Sequence, residues 1–315
     1  MKLASMIIAG ERRYGRFTDS TLEPAPVGTD PWDLLDERTA SSVHFENAVP
    51  VDRTTKLEVP VPVGAVRDFI TFEQHTAGSL RAVSRTSEVP PIWHEQPAFY
   101  FTNPHGLTGS GYDIPIPPGS ERFDFELEVA AVIGKDGYNL SVEEAWDHIV
   151  GFSIFNDWSA RDLQANEMKV GLGPAKGKDT ATTVGPALVT LDELTDRRQG
   201  DSFDLAMEVR INEKVVGTDS LASMAWSFAE LVAYASRGTW VRRGDVVGSG
   251  TCGGGCLAEL WGWYGDDAIP SVQVGDTVTM TVEKLGSISN TIVAGSTAHP
   301  VPRARPREWS QPPQP

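Results

Sequence analysis

A predominantly β body of α+β type, with two amphipathic helices and a small N-terminal unit, is what the sequence predicts, and three observations carry that prediction. From Val59 onward, apolar runs are cut by Pro and Gly punctuation, as in IPIPPGS at 114–120. In RFDFELEVAAVIG (122–134), acids alternate with apolar residues at period two before an unbroken apolar run takes over. Helical spacing stands out at two places, after Ser141 and in Ser223–Ser236.

The elements follow in order. Leu3–Ala9 is an apolar strand turned at Gly10, and Thr29-Asp30-Pro31 opens a short helix with Pro at its first position. Leu57–Val63 is strand-like and is followed by Asp68 in VRDFITFEQHT. Ser141-Val-Glu-Glu144 is a capping box ahead of a helix expected to end near Gly151, and Ile149–Phe155 is an apolar run that delivers Asp157. Met224, Phe228, Leu231 and Val232 mark the second helix, before Gly238. PVPRARPREWSQPPQP is a Pro-rich tail without apolar periodicity. The resulting division is an N-terminal unit over 1–58, a body over 59–298 and an extended tail over 299–315.

Composition narrows the function. With 315 residues, 40% hydrophobic and 22% charged, the chain can bury a large core. A net charge of −16 repels phosphate backbones and anionic lipid, so neither nucleic acid nor a membrane surface is an expected partner, and an anionic substrate needs local cations or a metal. No apolar run approaches the roughly 20 residues of a membrane span, and MKLASMIIAGERR lacks a signal-peptide pattern, so a cytoplasmic protein is expected. Cys252 and Cys256 read as reduced thiols in a Gly-rich loop; a redox or metal role lacks a CxxC or a second pair.

The carboxylates carry the chemistry. On one strand of period two, Asp124, Glu126 and Glu128 share a face, and the apolar continuation carries them toward low dielectric, where unpaired carboxylates are costly. A divalent cation removes that cost. Oxygen-only ligands suit a hard ion: Mg2+, Mn2+ or Ca2+. Asp68 and Asp157 sit at similar strand ends and could converge on the same ion.

RDFITFEQH, DFELEVAAVIG, NDWSARDLQ, GPAKGKDTATTVGP and GSGTCGGGCLAELW, in this order, closely resemble the fumarylacetoacetate hydrolase family over about residues 60 to 290. The resemblance implies a mixed β-sandwich or β-roll catalytic domain behind a small N-terminal domain, a homodimer, and a small oxo-acid substrate. Its metal ligands are Asp68, Glu126, Glu128 and Asp157, with Mg2+ first and Mn2+ or Ca2+ as alternatives; Asp124 falls in the motif but is not a family ligand. By the same resemblance His75 is the general base and Glu259 orients it, while Arg161, Gln164, Lys178 and Thr251 hold the substrate's oxygens or the leaving carbanion. Family members cleave a carbon–carbon bond in 1,3-dioxo acids, and relatives decarboxylate, hydrate or isomerise 2-oxo acids. A non-catalytic Ca2+-stabilised module would explain the acids but gives no role to His75, Arg161 and Lys178 together.

The departures concern substrate. Two tyrosines of the eukaryotic fumarylacetoacetases are replaced by Ile70 and Met168, Tyr100 retains a third, and Phe72, Trp93 and Phe99 make an apolar pocket expected. Asp162 and Glu167 read as local partners, Asp179 as a tuner of Lys178 or a surface pair, and His148 as structural.

Overall fold

The computed structural model of the chain describes residues 1–18, 20–266 and 268–308. At the N-terminus β1 (Lys2–Ile8), β2 (Glu11–Thr18) and β3 (Thr21–Pro24) form a meander, turned first at Ala9 and Gly10, both at positive φ. α1 (Pro31–Leu35) follows, with Asp30 accepting from the Trp32 N–H and Pro31 in the first turn. The chain then forms β4 (Val66–Phe69), α2 (Glu73–Ser84), β5 (Phe99–Thr102), β6 (Leu127–Ile133), α3 (Val142–Ala145), β7 (Ile149–Asp157), α4 (Arg161–Glu167) and β8 (Thr182–Thr190). After these come β9 (Ala206–Ile211), β10 (Lys214–Ser220), α5 (Phe228–Ser236), β11 (Val246–Gly248), α6 (Leu257–Tyr264), β12 (Thr277–Val282) and β13 (Gly286–Val293).

The wide sheet has the order β3-β2-β1-β8-β7-β6-β11-β4-β5, with the short strand Val49–Pro50 outside β3. It is mixed: β11 and β4 run parallel, while β6, β7 and β8 are antiparallel neighbours. Strand β1 pairs with β8, so the first residues extend the same sheet that carries the middle of the chain. A second sheet, β10-β9-β12-β13, lies against β7 and β8. Phe152, Ile154, Met207, Val209, Phe228, Met280 and Ile288 from both sheets and α5 meet in the main core. Each such side chain contributes on the order of 2 kcal/mol by leaving water.

Sequence periodicity reports how many faces of a strand are covered. In β12, Val278, Met280 and Val282 are buried while Thr277, Thr279 and Thr281 pair with Thr291, Ser289 and Ser287 on the outer face. Every residue of β6 is buried, because β7 and β11 flank it and both of its faces are packed. That is why the acid–apolar alternation stops at Glu128.

Several boundaries differ from the sequence expectation. Leu57–Val63 forms no strand; Asp68 lies inside β4 instead, and Glu58 makes one isolated bridge to Ser5. The Ser141 capping box is present, but its helix stops at Ala145 and one 3-10 turn leads to the strand starting at Ile149, short of the expected Gly151. Helix α5 begins after Ser227, whose own capping box with Glu230 fixes the start, so Ser223 falls in a preceding 3-10 turn. Residues 299–308 are exposed and without regular structure, and the rest of the tail, Trp309–Pro315, lies outside the described residues. No helix among the described residues is long and apolar enough to cross a membrane.

Candidate active site

Strand order brings the acids together. Asp157 ends β7, Glu128 lies on β6, Asp68 lies on β4 opposite Gly248 of β11, and Tyr100 stands opposite Asp68 on β5. Asp124, Glu126 and Glu128 do not share one regular strand face. The strand is interrupted at Phe125–Glu126, because the Asn156 side chain takes the Glu126 N–H at 3.0 Å and the Glu126 carbonyl receives the Asp157 N–H. Across the break Glu126 shares Lys178 with Asp157 and shares Arg161 with Asp124.

Asp68, Glu126 and Glu128 each offer an oxygen within 4.8 Å of the others, and Asp68, Glu126, Glu128 and Asp157 are at most 4% exposed. Lys178 donates to Glu126 and, at 2.7 Å, to Asp157; Arg161 donates to Glu126 at 2.8 Å; and the Tyr100 hydroxyl donates to Asp157. The Glu128 oxygens accept from Gly250 N–H at 3.0 Å and the Thr251 hydroxyl at 3.3 Å. Among the described residues no cation pairs with Asp68 or Glu128. Asp68 Oδ1 and Asp157 Oδ1 are buried without a hydrogen-bond partner. A Cβ on Gly248 would stand 2.5 Å from Asp68 Oδ1, so glycine is what lets that carboxylate reach Glu128. Orphaned, convergent oxygens of this kind fit a hard divalent cation.

The charges respond to this crowding. Burial, with the Asp157 charge added, pushes Asp68 up to about 7. Asp157 is raised to about 6 by burial, with Lys178 opposing, and burial beside Asp68 raises Glu128 well above its usual range. Burial works on Glu126 in the same direction, but Lys178 and Arg161 outweigh it and lower the group to about 2. For Lys178, burial disfavours the ammonium, and the Asp157 and Glu126 charges more than offset that, so its pKa is raised.

On the other side of the cluster, α2 carries His75 and α6 carries Glu259. His75 Nδ1 stands 3.5 Å from Glu259 Oε2, and Nε2 is 3.3 Å from the Ser79 hydroxyl. Glu259 is completely buried and also accepts from Gln74 Nε2 at 3.1 Å, Trp263 Nε1 at 3.3 Å and Gly254 N–H at 2.7 Å. Burial pushes Glu259 up, and its bonds with His75, Gln74 and Gly254 bring it below its ordinary range. The two helices cross where neither has a side chain to spare. A Cβ on Gly78 would lie 2.4 Å from Glu259 Cγ, and one on Gly262 would lie 2.0 Å from the Gly78 carbonyl oxygen.

Sequence periodicity misses both helices. Helix α2, EQHTAGSLRAVS, has a weak apolar stripe, and α6, LAELWGWY, is apolar nearly all round. Glu259 lies in the first turn of α6. Asp124, which the family resemblance leaves out of the ligand set, has a different role: it accepts from Leu257 N–H at 2.8 Å and Ala258 N–H at 2.9 Å, capping α6, and it receives Arg161 Nε at 2.8 Å.

The remaining expected residues are placed as follows. Arg161, expected to hold substrate oxygens or the leaving carbanion, is engaged by Asp124 and Glu126, with Nη1 on Gln164 Oε1 at 3.2 Å. Glu167 accepts from the N–H groups of Ala175, Lys176 and Gly177 at 2.7–3.0 Å and folds the loop that delivers Lys178. Asp162 likewise accepts from backbone, at Glu121 and Leu163. Asp179 pairs with Lys176 on the surface. Trp158 and Ala160 are buried beneath the turn, with Trp158 Nε1 donating to Thr183. Phe72 and Trp93 are buried and Phe99 packs on Phe69, whereas Met168 is half exposed.

A family model described as fumarylacetoacetate (FAA) hydrolase C-terminal matches residues 66–293. The chain belongs to the fumarylacetoacetate hydrolase family. Within the family it is similar to a fumarylacetoacetase of Arabidopsis thaliana, 32% identical over an alignment of 255 residues, with 66% of this chain and 60% of that protein covered. The chain spans a similar 62% of the fumarylacetoacetase of Oryza sativa subsp. japonica. It is also similar to the oxaloacetate tautomerase YisK of Bacillus subtilis, 28% identical over 240 residues, 75% of this chain and 73% of that protein. A fumarylpyruvate hydrolase from Pseudomonas aeruginosa, solved in complex with Mn2+ and pyruvate, shares the fold with a TM-score of 0.59 at 23% identity, covering 75% of this chain and 91% of that one. The named relatives in this family are enzymes, and they include both hydrolases and tautomerases.

Proposed function

We propose that the chain is a cation-dependent hydrolase cleaving a carbon–carbon bond in a 1,3-diketo acid of fumarylacetoacetate or acylpyruvate type. One observation carries the reading: His75 is 3.5 Å from Glu259, and a His75 ring nitrogen lies within 4.8 Å of a Glu126 carboxylate oxygen. A base with its orienting carboxylate therefore stands beside a cluster fit for a cation. Asp68, Glu126, Glu128 and Asp157 would hold one Mg2+, with Mn2+ or Ca2+ as alternatives; when bound, it supplies Lewis-acid polarisation of a substrate carbonyl.

The side chains do the rest. His75 takes a proton from water as the water oxygen bonds to the carbonyl carbon, and Glu259 stabilises the imidazolium. The carbon–carbon bond then breaks, its electron pair delocalising into the adjacent carbonyl of the leaving fragment as an enolate. Lys178, held as an ammonium, faces that charge, with Gln164, Arg161, Thr251 and Tyr100 fixing the substrate's oxygens. Return of the proton to carbon gives a carboxylic acid and an oxo acid. The same reading includes the division into 1–58, 59–298 and 299–315, a cytoplasmic location and a homodimer. Exposed Phe101, Tyr138 and Trp240 around Arg67, beside the edge strand β5, support the last.

A second reading, a tautomerase, isomerase or decarboxylase of 2-oxo acids, is favoured by the tautomerase match over 75% of the chain and by the absent phenols at Ile70 and Met168. It needs the cation but no activated water. Purified protein with Mg2+ should cleave an acylpyruvate to pyruvate and a carboxylic acid, and His75→Ala should lower that rate by about 10²–10⁴-fold. Turnover of oxaloacetate alone, undiminished in His75→Ala, would transfer the assignment to the second reading.

A further inference from the structure

Cys256 has no part in that chemistry, yet it is completely buried against the base. Its Sγ lies 3.7 Å from His75 Nδ1, and its side chain caps α6 by accepting the Glu259 N–H at 3.4 Å. One atom each from His75, Cys256 and Glu126 falls within a 4.8 Å group, and all three residues are buried. A tetrahedral Zn2+ about 2.3 Å from sulfur and about 2.0 Å from nitrogen sets those two ligands about 3.5 Å apart. The observed sulfur–nitrogen spacing is close to that value. The all-oxygen group of Asp68, Glu126 and Glu128 has only Glu126 in common with it and offers a hard ion nothing softer than carboxylate.

We propose that His75, Cys256 and Glu126 form a second cation site, selective for soft divalent ions such as Zn2+, that shares Glu126 with the hard-cation site. The ligands come from α2, from the cap of α6 and from the break before β6, so the site exists only in the folded chain. As the Zn–S bond forms, the thiol proton leaves to solvent. Glu126 must release Arg161 to reach the ion, and Arg161 is not stranded, because it keeps Asp124 at 2.7 Å. An ion on His75 Nδ1, the nitrogen that faces Glu259, leaves the ring proton on Nε2, so the imidazole has no lone pair left for water. The consequence, thiol-dependent inhibition by soft metals, rests on the hydrolase reading; the binding does not.

The test uses the full chain with Mg2+ in excess and reads binding without any substrate. Titration with Co2+ should give a thiolate-to-cobalt charge-transfer band saturating at one equivalent. Cys256→Ser keeps a capping oxygen, and it should abolish the band and weaken Zn2+ binding by about tenfold or more, whereas Cys252→Ser keeps both. Absence of the band, or its survival in Cys256→Ser, overturns the proposal. Should Cys256→Ser fail to fold, X-ray absorption of the Zn2+-loaded wild-type chain decides: one sulfur neighbour at about 2.3 Å supports the site, and a shell of oxygen and nitrogen alone refutes it.

Discussion

Asp68, Glu126, Glu128 and Asp157 stand on or beside neighbouring strands, where ladder register fixes their spacing, whereas His75 and Glu259 stand on two helices that touch at Gly78 and Gly262. At the strand end the groups are fixed by charge: Lys178 and Arg161 are tied into the acids by ion pairs, and the backbone is pinned from several strands. At the helix end, among the described residues, no lysine or arginine pairs with Glu259. The 3.5 Å His75–Glu259 spacing depends on two missing Cβ atoms and on the bonds from Gln74, Trp263 and Gly254 that orient the carboxylate. The two ends should therefore fail differently, the first through stability and cation affinity together, the second through rate with cation affinity kept.

The largest effect is expected from Glu126→Gln. It leaves Lys178 and Arg161 buried with one fewer anion and should cost about 3–5 kcal/mol together with loss of Mg2+ binding. Chemical denaturation and metal titration on the same protein check this, and a variant that loses Mg2+ binding while keeping wild-type stability would break the link between scaffold and ligand.

Gly78→Ala comes next and addresses the other end. Its Cβ would press on Glu259 Cγ, so a fall in kcat of about 10²-fold is expected, with destabilisation of about 1–3 kcal/mol and unchanged Mg2+ affinity. If Mg2+ affinity falls in step with kcat, the two ends are not independent.

A third effect is a pH dependence confined to the carboxylate end. Asp68 is raised to about 7 and Asp157 to about 6, so in the metal-free protein both hold protons that the unfolded chain releases. Their contribution is fully present below the unfolded carboxylate range, near 4, and is lost as pH rises through the folded values. Metal-free protein should therefore gain stability between about pH 7 and 5, at up to about 1.4 kcal/mol per pH unit per group, while Mg2+ affinity declines over the same window. Glu126, lowered to about 2, acts oppositely but loses its contribution only below its ordinary range near 4.5. Urea melts in chelator against melts in Mg2+ separate the terms; a metal-free optimum at alkaline pH would contradict the charge assignment.

Much of the carboxylate end is legible in the sequence. Alternation at Glu126 and Glu128, an apolar run delivering Asp157, and the motif order single out the acids that the fold buries together, because strand periodicity is local and shows which side chains are carried into a core. The same logic fails for α2 and α6. One has too little apolar pattern and the other too much, and their helical form follows from mutual packing and from the Asp124 cap, contributed by a residue 133 positions away.

By itself, the sequence determined the family, the β-rich body, the capping box at Ser141 and the oxygen-only chemistry of the buried acids, since each is set by residue type within a few neighbours. Tertiary structure alone decided that Arg161 is spent on Asp124 and Glu126, that Glu167 folds the Lys178 loop, and that Cys256 meets His75 across 181 residues. Those contacts join segments remote in the chain, and they form only when sheet register and helix crossing bring buried groups together in a medium where each must find a partner.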